Sequence, residues 1–181
     1  MLRVISGKIK GKRLSTPRGK DIRPTPVRLR KRLFDILGYD ILGARFLDGF
    51  AGTGSVGIEA YSLGASEVYF IEKEKEALKY LFKNIKRIGE PPELKVIEND
   101  FNLGVRELHE KGVMFDFIFV DPPYDFLEYA NPMKILYKKN ILKDGGIVIL
   151  QKPCKLVLEK PFFEIFREIK EGKNCMVFMR R

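Results

Sequence analysis

The chain has 181 residues, 45% of them hydrophobic, which suits one domain with a proper core, with at most a small appendage. No apolar run approaches the ~18 residues of a membrane span, and the N-terminal basic residues are interleaved rather than followed by an apolar block, so neither a membrane protein nor a secretory leader is expected. The net charge is +10, and residues 1–32 hold 12 of the 34 Lys and Arg with a single acid, Asp21, leaving the rest of the chain at −1.

A basic block on a near-neutral body is the electrostatic footprint of a nucleic-acid binder. Cys154 and Cys175 are read as giving neither a disulfide framework nor a metal cluster. His109 is the only histidine and stands in a polar stretch, so His-based catalysis and zinc are set aside and no metal is expected. A single glutamine, Gln151, among many Lys and Glu resembles a heat-adapted composition. A cytoplasmic monomer is expected.

Arg3 to Leu14 alternates loosely between apolar and basic residues, with Gly7 and Gly11 permitting a tight turn, and predicts a basic hairpin. Residues 15–24 read as a loop. A helix starts near Pro26, with Leu29, Leu33, Ile36 and Leu37 on one stripe and Arg28, Lys31, Arg32 and Asp35 on another, and stops at Gly38. The pattern then alternates strand and helix. Strands are expected at Ala44–Leu47, Glu67–Ile71, Leu94–Ile97, Phe115–Val120 and Gly146–Leu150. Helices are expected at Ser55–Leu63, Lys73–Ile88, Phe101–Lys111 and Phe126–Lys139, the last with Pro132 as a break or restart point. Phe162–Ile169 and Cys175–Arg180 close the chain as an antiparallel pair around the turn at 171–174.

Short strand–helix–strand spacing means right-handed crossovers and a parallel sheet covered on both faces. The fold class is α/β, doubly wound, with a basic N-terminal arm over 1–24 and the sheet domain over 25–181. Ligands of such sheets bind outside the carboxyl ends of the strands. Asp48, Glu72, Asp100 and Asp121 all stand at or just past those ends, 24, 28 and 21 residues apart.

The loop after the first strand runs from Asp48 through Gly49, Phe50, Ala51, Gly52 and Thr53 to Gly54. Its glycines allow close backbone approach to a ligand, and Gly52, Gly54 and Gly57 also match the dinucleotide spacing, with Glu72 at a distance suited to a ribose. The loop alone does not separate NAD from S-adenosylmethionine. Asp48 does favour the latter, since a carboxylate suits a cationic ligand and not a pyrophosphate. The chain is also too short for a separate substrate domain.

The fourth strand ends in Asp121-Pro122-Pro123-Tyr124. The prolines cannot continue a ladder, so the chain leaves the sheet as a stiff loop. It carries a carboxylate, a free carbonyl and a ring within four residues. That set suits a planar base with an exocyclic amino group, two N–H bonds going to Asp121 and the Pro122 carbonyl and the ring of Tyr124 stacking on the base. A rigid turn with a strand-end acid is the alternative.

The loop from Asp48 to Gly54 combined with the D-P-P-Y stretch resembles a class I S-adenosylmethionine-dependent methyltransferase of the amino-group type. Arg23-Pro-Thr25 with Arg28, Leu33, Phe34 and the basic N-terminus narrows the resemblance to the RsmD family, whose members methylate N2 of a guanine in 16S ribosomal RNA. Where that family often has an acid and a small polar residue, this chain has Lys31 and Arg32. The resemblance implies a Rossmann-like, mostly parallel seven-stranded sheet with an antiparallel C-terminal hairpin. It also implies S-adenosylmethionine held by Asp48, Gly49, Phe50, Ala51, Gly52, Gly54, Glu72, Lys73, Asp100 and Phe101, with Thr25 close by. Asp121, Pro122, Pro123 and Tyr124 would act on the target base. Lys8, Lys10, Lys12, Arg13, Arg23, Arg28, Lys31 and Arg32 would hold ribosomal RNA, free or in an assembling small subunit. Adenine-N6 methylation of DNA or RNA, a protein amino-group methyltransferase (which would favour Asn at 121), and a non-catalytic RNA-binding assembly factor remain the alternatives.

Overall fold

The structure is a computed structural model that describes residues 2–17, 25–123, 130–158 and 162–181; Arg23, Tyr124 and the first part of the helix expected from Phe126 lie outside the described residues. The elements are α1 (Val27–Leu37), β1 (Arg45–Asp48), α2 (Ser55–Ser62), β2 (Glu67–Glu72), α3 (Lys75–Arg87), β3 (Leu94–Glu98), α4 (Phe101–Glu110), β4 (Phe115–Val120), α5 (Ala130–Lys139), β5 (Leu142–Pro153), β6 (Glu164–Glu171) and β7 (Asn174–Arg180). Pro132, expected as a break or restart point, falls within α5.

The strands form one seven-stranded sheet in the order β3-β2-β1-β4-β5-β7-β6. β1 to β5 pair in parallel, and β7 is antiparallel to both β5 and β6. The order reverses between β1 and β4, so their carboxyl ends flank the crevice where such sheets take ligands. Side chains along a strand point to alternate faces. Phe46, Phe117 and Phe119 join one hydrophobic cluster with α1, α2 and α3, while Leu47, Ile118 and Val120 join a second with α4 and α5. Burial on both sides explains why β4 reads as an apolar run rather than an alternating one.

Two expectations need correction. The fifth strand begins at Leu142, not Gly146. Leu142 pairs with Phe115 and Ile147 with Phe117, so the residues between them bulge out of the ladder, and Gly145 takes a left-handed φ of 75° there. The apolar run over 146–150 marks only the regular part. The cysteines are also joined: Cys154 and Cys175 form a disulfide with Cα atoms 4.9 Å apart. The antiparallel pairing of β5 with β7 sets Lys152 opposite Cys175 and so brings the two cysteines together. Sequence spacing could not show this, because β5 and β7 are neighbours only by skipping β6.

The basic hairpin is present and is built into the body. Arg3 and Arg13 bridge, Val4 N–H donates to Lys12 O at 3.0 Å, and Leu14 N–H donates to Leu2 O at 3.0 Å. Leu2, Val4 and Leu14 are buried in the same cluster as α1 to α3. The clamp is Glu59 of α2. Its carboxylate accepts the N–H groups of Ile5 and Ser6 at 2.7–3.0 Å and lies 3.4 Å from Arg30 Nε, both side chains being buried. Arg30 Nη2 in turn donates to Arg3 O at 2.6 Å. Burial opposes both charges, pushing the Glu59 carboxyl up and the Arg30 guanidinium down from their ordinary values, against their mutual attraction. Gly7 closes the contact. Its φ is 81°, and a Cβ there would stand 1.9 Å from the Ser62 carbonyl oxygen, so no other residue fits without moving the hairpin.

Glu59→Ala would leave Arg30 buried without its counter-charge and strip two N–H groups of their acceptor. A loss of about 3–5 kcal/mol in urea unfolding is expected. A loss under about 1 kcal/mol would mean that the hairpin is held by apolar packing alone.

Candidate active site

The crevice is built from the carboxyl ends of β1, β2, β3 and β4. Asp48 is the last residue of β1 and is 1% exposed. Its Oδ2 accepts the N–H of Gly57 in the first turns of α2 at 2.9 Å. Between them the loop turns over Gly54, whose φ of 79° sets the start of α2 and where a Cβ would meet Leu81 Cδ1 at 2.4 Å. Gly49 N–H donates to Phe119 O at 2.8 Å and Ala51 N–H to Ile71 O at 3.1 Å, so the loop backbone is tied to the strands on both sides. Gly52 is half-buried and its N–H donates to Glu72 Oε2 at 2.7 Å.

Glu72, half-buried at the end of β2, also accepts the N–H groups of Lys73 and Glu74 on Oε1 at 2.8 and 2.9 Å. These three bonds fix the carboxylate plane and leave a lone pair on Oε2, which accepts only one of them, for a hydroxyl. Lys73 is exposed and lies 4.0 Å from Glu74. Asp100 caps α4 by accepting Asn102 N–H at 2.9 Å. Phe101 is buried, stacked on Phe50 with ring centroids 4.7 Å apart and planes at 17°. One face of the Phe101 ring is therefore covered by Phe50, which is itself partly exposed.

On the neighbouring strand, Asp121 follows β4 and remains partly exposed, Pro122 is buried and Pro123 exposed. Gln151 Nε2 of β5 donates to Asp121 Oδ2 at 2.9 Å, and the buried Thr25 also hydrogen-bonds the carboxylate. Thr25, expected near the donor, thus stands beside the acid of the D-P-P-Y stretch. The sequence marks Gln151 only by its rarity; nothing there ties it to Asp121, since their neighbourhood depends on the β4–β5 pairing.

Charge is the tension in this site. Desolvation pushes the Asp48 carboxyl up to about 7, with the Gly57 N–H opposing and nearby Glu72 adding to the rise. Asp121 is pushed up to about 8 by desolvation and by repulsion from Asp48, against the bonds from Thr25 and Gln151. Among the described residues, no cation acts on either acid. A ligand carrying positive charge would supply what both lack.

The basic residues expected at an RNA surface divide. Lys10, Lys12 and Arg13 are exposed on the hairpin, and Lys8 Nζ sits 3.5 Å over the Tyr61 ring. Arg28 and Arg32 both reach Glu171, at 3.9 and 3.5 Å, and Lys31 pairs with Asp35 at 2.9 Å. Such exposed pairs are weak and readily exchanged for phosphate. Arg30, one residue from these, turns inward instead. Asn84 is a further residue that sequence reasoning misses. It is fully buried, accepts Ser15 N–H at 2.6 Å and donates to Ser15 O and Thr53 O, tying the chain after the hairpin to the Asp48–Gly54 loop. Both residues fall on the apolar stripes of their helices, Asn84 three after Leu81 and Arg30 three before Leu33, and a polar group at such a register position is the available signal.

Residues 2–180 match the model of a family described as conserved hypothetical protein 95. The chain belongs to that family. Among its relatives is ribosomal RNA small subunit methyltransferase D of Escherichia coli, 34% identical over 150 residues that cover 83% of this chain and 74% of the relative. A hypothetical protein of Thermus thermophilus superimposes with a TM-score of 0.88 at 33% identity, covering all of both chains. The 16S rRNA N2 G1207 methyltransferase RsmC of Thermus thermophilus, solved with AdoMet and guanosine, superimposes with a TM-score of 0.72 at 20% identity, over 88% of this chain and 44% of that one. The family's fold here is thus that of class I methyltransferases.

The raised carboxyls fix a pH dependence. Asp48 binds its proton more tightly folded, near 7, than unfolded, at an ordinary 3.8, so folded stability falls as pH rises between those values. Asp48→Asn keeps an acceptor for Gly57 and removes the charge. Its melting temperature is expected to exceed wild type at pH 9 and to converge on it toward pH 5; equal melting curves at both pH values would show that Asp48 carries no such penalty.

Proposed function

We propose that this protein transfers a methyl group from S-adenosylmethionine to the exocyclic N2 of a guanine in small-subunit ribosomal RNA. The observation that carries the reading is the pair of desolvated acids at the ends of adjacent strands, Asp48 at the glycine loop and Asp121 before two prolines, with no cation among the described residues acting on either. The name and 34% identity of the Escherichia coli relative support ribosomal RNA as the substrate. The donor set fits S-adenosylmethionine, which would supply a methyl group on a positively charged sulfur.

Asp48 and the backbone of Gly49 to Gly54 would hold the amino-acid end of the donor, Glu72 the ribose hydroxyls, and Asp100 the adenine amino group beside Phe50 and Phe101. Positive charge arriving near Asp48 favours its ionised form and lowers the repulsion felt by Asp121. Asp121 then accepts an N–H of the target amino group, and the Pro122 carbonyl accepts the second. A base amino lone pair is delocalised into its ring, and two such bonds favour a pyramidal nitrogen with the lone pair aimed at the methyl carbon. Positioning of this kind supplies much of the acceleration. Asp121 also stabilises the positive charge that develops on nitrogen. Tyr124 would stack on a base drawn out of its helix. The exposed Lys10, Lys12 and Arg13, with Arg23, Arg28, Lys31 and Arg32, would meet phosphates.

Incubation with labelled donor and small-subunit ribosomal RNA, followed by nucleoside mass spectrometry, is expected to give N2-methylguanosine. Asp121→Ala should lower turnover by roughly 10²–10³-fold with donor affinity nearly unchanged, whereas Glu72→Ala should weaken donor binding. N6-methyladenosine as the sole product would assign the protein to adenine chemistry, and no donor-dependent product would leave it a binding protein.

A further inference from the structure

Gln151 is buried at the end of β5. Its Nε2 donates to Asp121, while its Oε1 is also buried and has no hydrogen-bond partner. An orphaned buried acceptor is costly, and an apolar side chain of the same length would avoid it. Core packing therefore gives no reason for a glutamine here, and the bond to Asp121 does.

We infer that Gln151 is a positioning residue that holds the Asp121 carboxylate, turned and ionised, as the acceptor of the target amino group. The inference rests on the role given to Asp121 above. The bond to Oδ2 fixes the plane of the carboxylate and leaves Oδ1 able to take an incoming N–H. Among the described residues, Asp48 from β1 opposes the charge of Asp121, and the Thr25 hydroxyl ahead of α1 and the Gln151 amide from β5 favour it. Lys152, next in the chain, offers nothing here, because its Nζ donates to Leu156 O at 2.9 Å and pairs with Glu168 at 3.4 Å. The amide bond favours the ionised carboxylate, so removal of the donor shifts Asp121 toward its protonated form, in which its proton meets the amino group and repels it.

The test compares wild type with Gln151→Met, which keeps length and loses the donor, and Gln151→Glu, which keeps shape and adds a charge like that of Asp121. The pH dependence of kcat for RNA methylation reports ionisations of the bound complex. Its acid limb is expected to move to higher pH in Gln151→Met and further in Gln151→Glu. A displacement of one pH unit lowers turnover on that limb about tenfold. Gln151→Met should recover most of the wild-type rate at high pH, with KM for the donor unchanged. A uniform loss of rate with the midpoint fixed, or a rise confined to donor KM, would overturn the inference, since a merely structural role gives that result. The second arm needs no RNA: carbon-13 NMR titration of the Asp121 carboxyl in the three folded proteins should give midpoints in the same order, and equal midpoints would overturn the inference. Ordered midpoints in a protein that methylates no RNA would overturn the functional reading instead, and with it the catalytic meaning of Gln151.

Discussion

Two desolvated carboxylates at the ends of neighbouring strands, with no counter-charge among the described residues, are the constraint around which this molecule is arranged. Asp48 and Asp121 end up adjacent because β1 and β4 pair at the point where the strand order reverses, with Asp48 opposite Phe119. Neither acid gains stability for the fold in that position. Each is desolvated, each repels the other, and both are raised toward neutrality. Backbone and side-chain donors from Gly57, Thr25 and Gln151 soften the cost without removing it. A fold that carries such a penalty at the mouth of its sheet is arranged for a ligand that relieves it, and strongly shifted groups in a crevice are where function is sought.

The remainder of the chain keeps that crevice in register. The hairpin is locked onto α2 by Glu59, which also holds Arg30 of α1, so arm and helix move together. Asn84 of α3 then ties Ser15 to Thr53 of the glycine loop. The exposed basic face of the hairpin is thereby linked by direct bonds to the backbone that surrounds the crevice. The links lie in buried side chains, where hydrogen bonds and ion pairs are least screened.

Much of the sheet is legible from sequence because parallel strands covered on both faces read as apolar runs, and the acids at their ends read as punctuation. β4 runs over Phe115–Val120 as its apolar run predicts, ending before Asp121 and the prolines, and the final hairpin turns at its glycine. What stays hidden depends on contacts between strands that are distant in sequence. The Cys154–Cys175 bond needs β5 beside β7, and the Gln151–Asp121 bond needs β4 beside β5. The start of β5 escapes sequence reading because a bulge interrupts its apolar pattern. The stripe of α1 reads as Leu29, Leu33, Ile36 and Leu37, which leaves Arg30 unassigned although it lies among them in the folded helix. The positions of the strand-end acids are readable from the sequence; their shared burial and its effect on their charge are not.

Calorimetry of S-adenosylmethionine binding near pH 7, repeated in buffers of different ionisation enthalpy, tests the central claim most directly. If the desolvated acids at the ends of β1 and β4 await a cationic ligand, binding at that pH drives them to ionise. Protons are then released to the buffer, the apparent enthalpy varies with buffer identity in the sense of release, and affinity strengthens between pH 6 and 8. A binding enthalpy independent of buffer, with affinity flat across that range, would contradict the account.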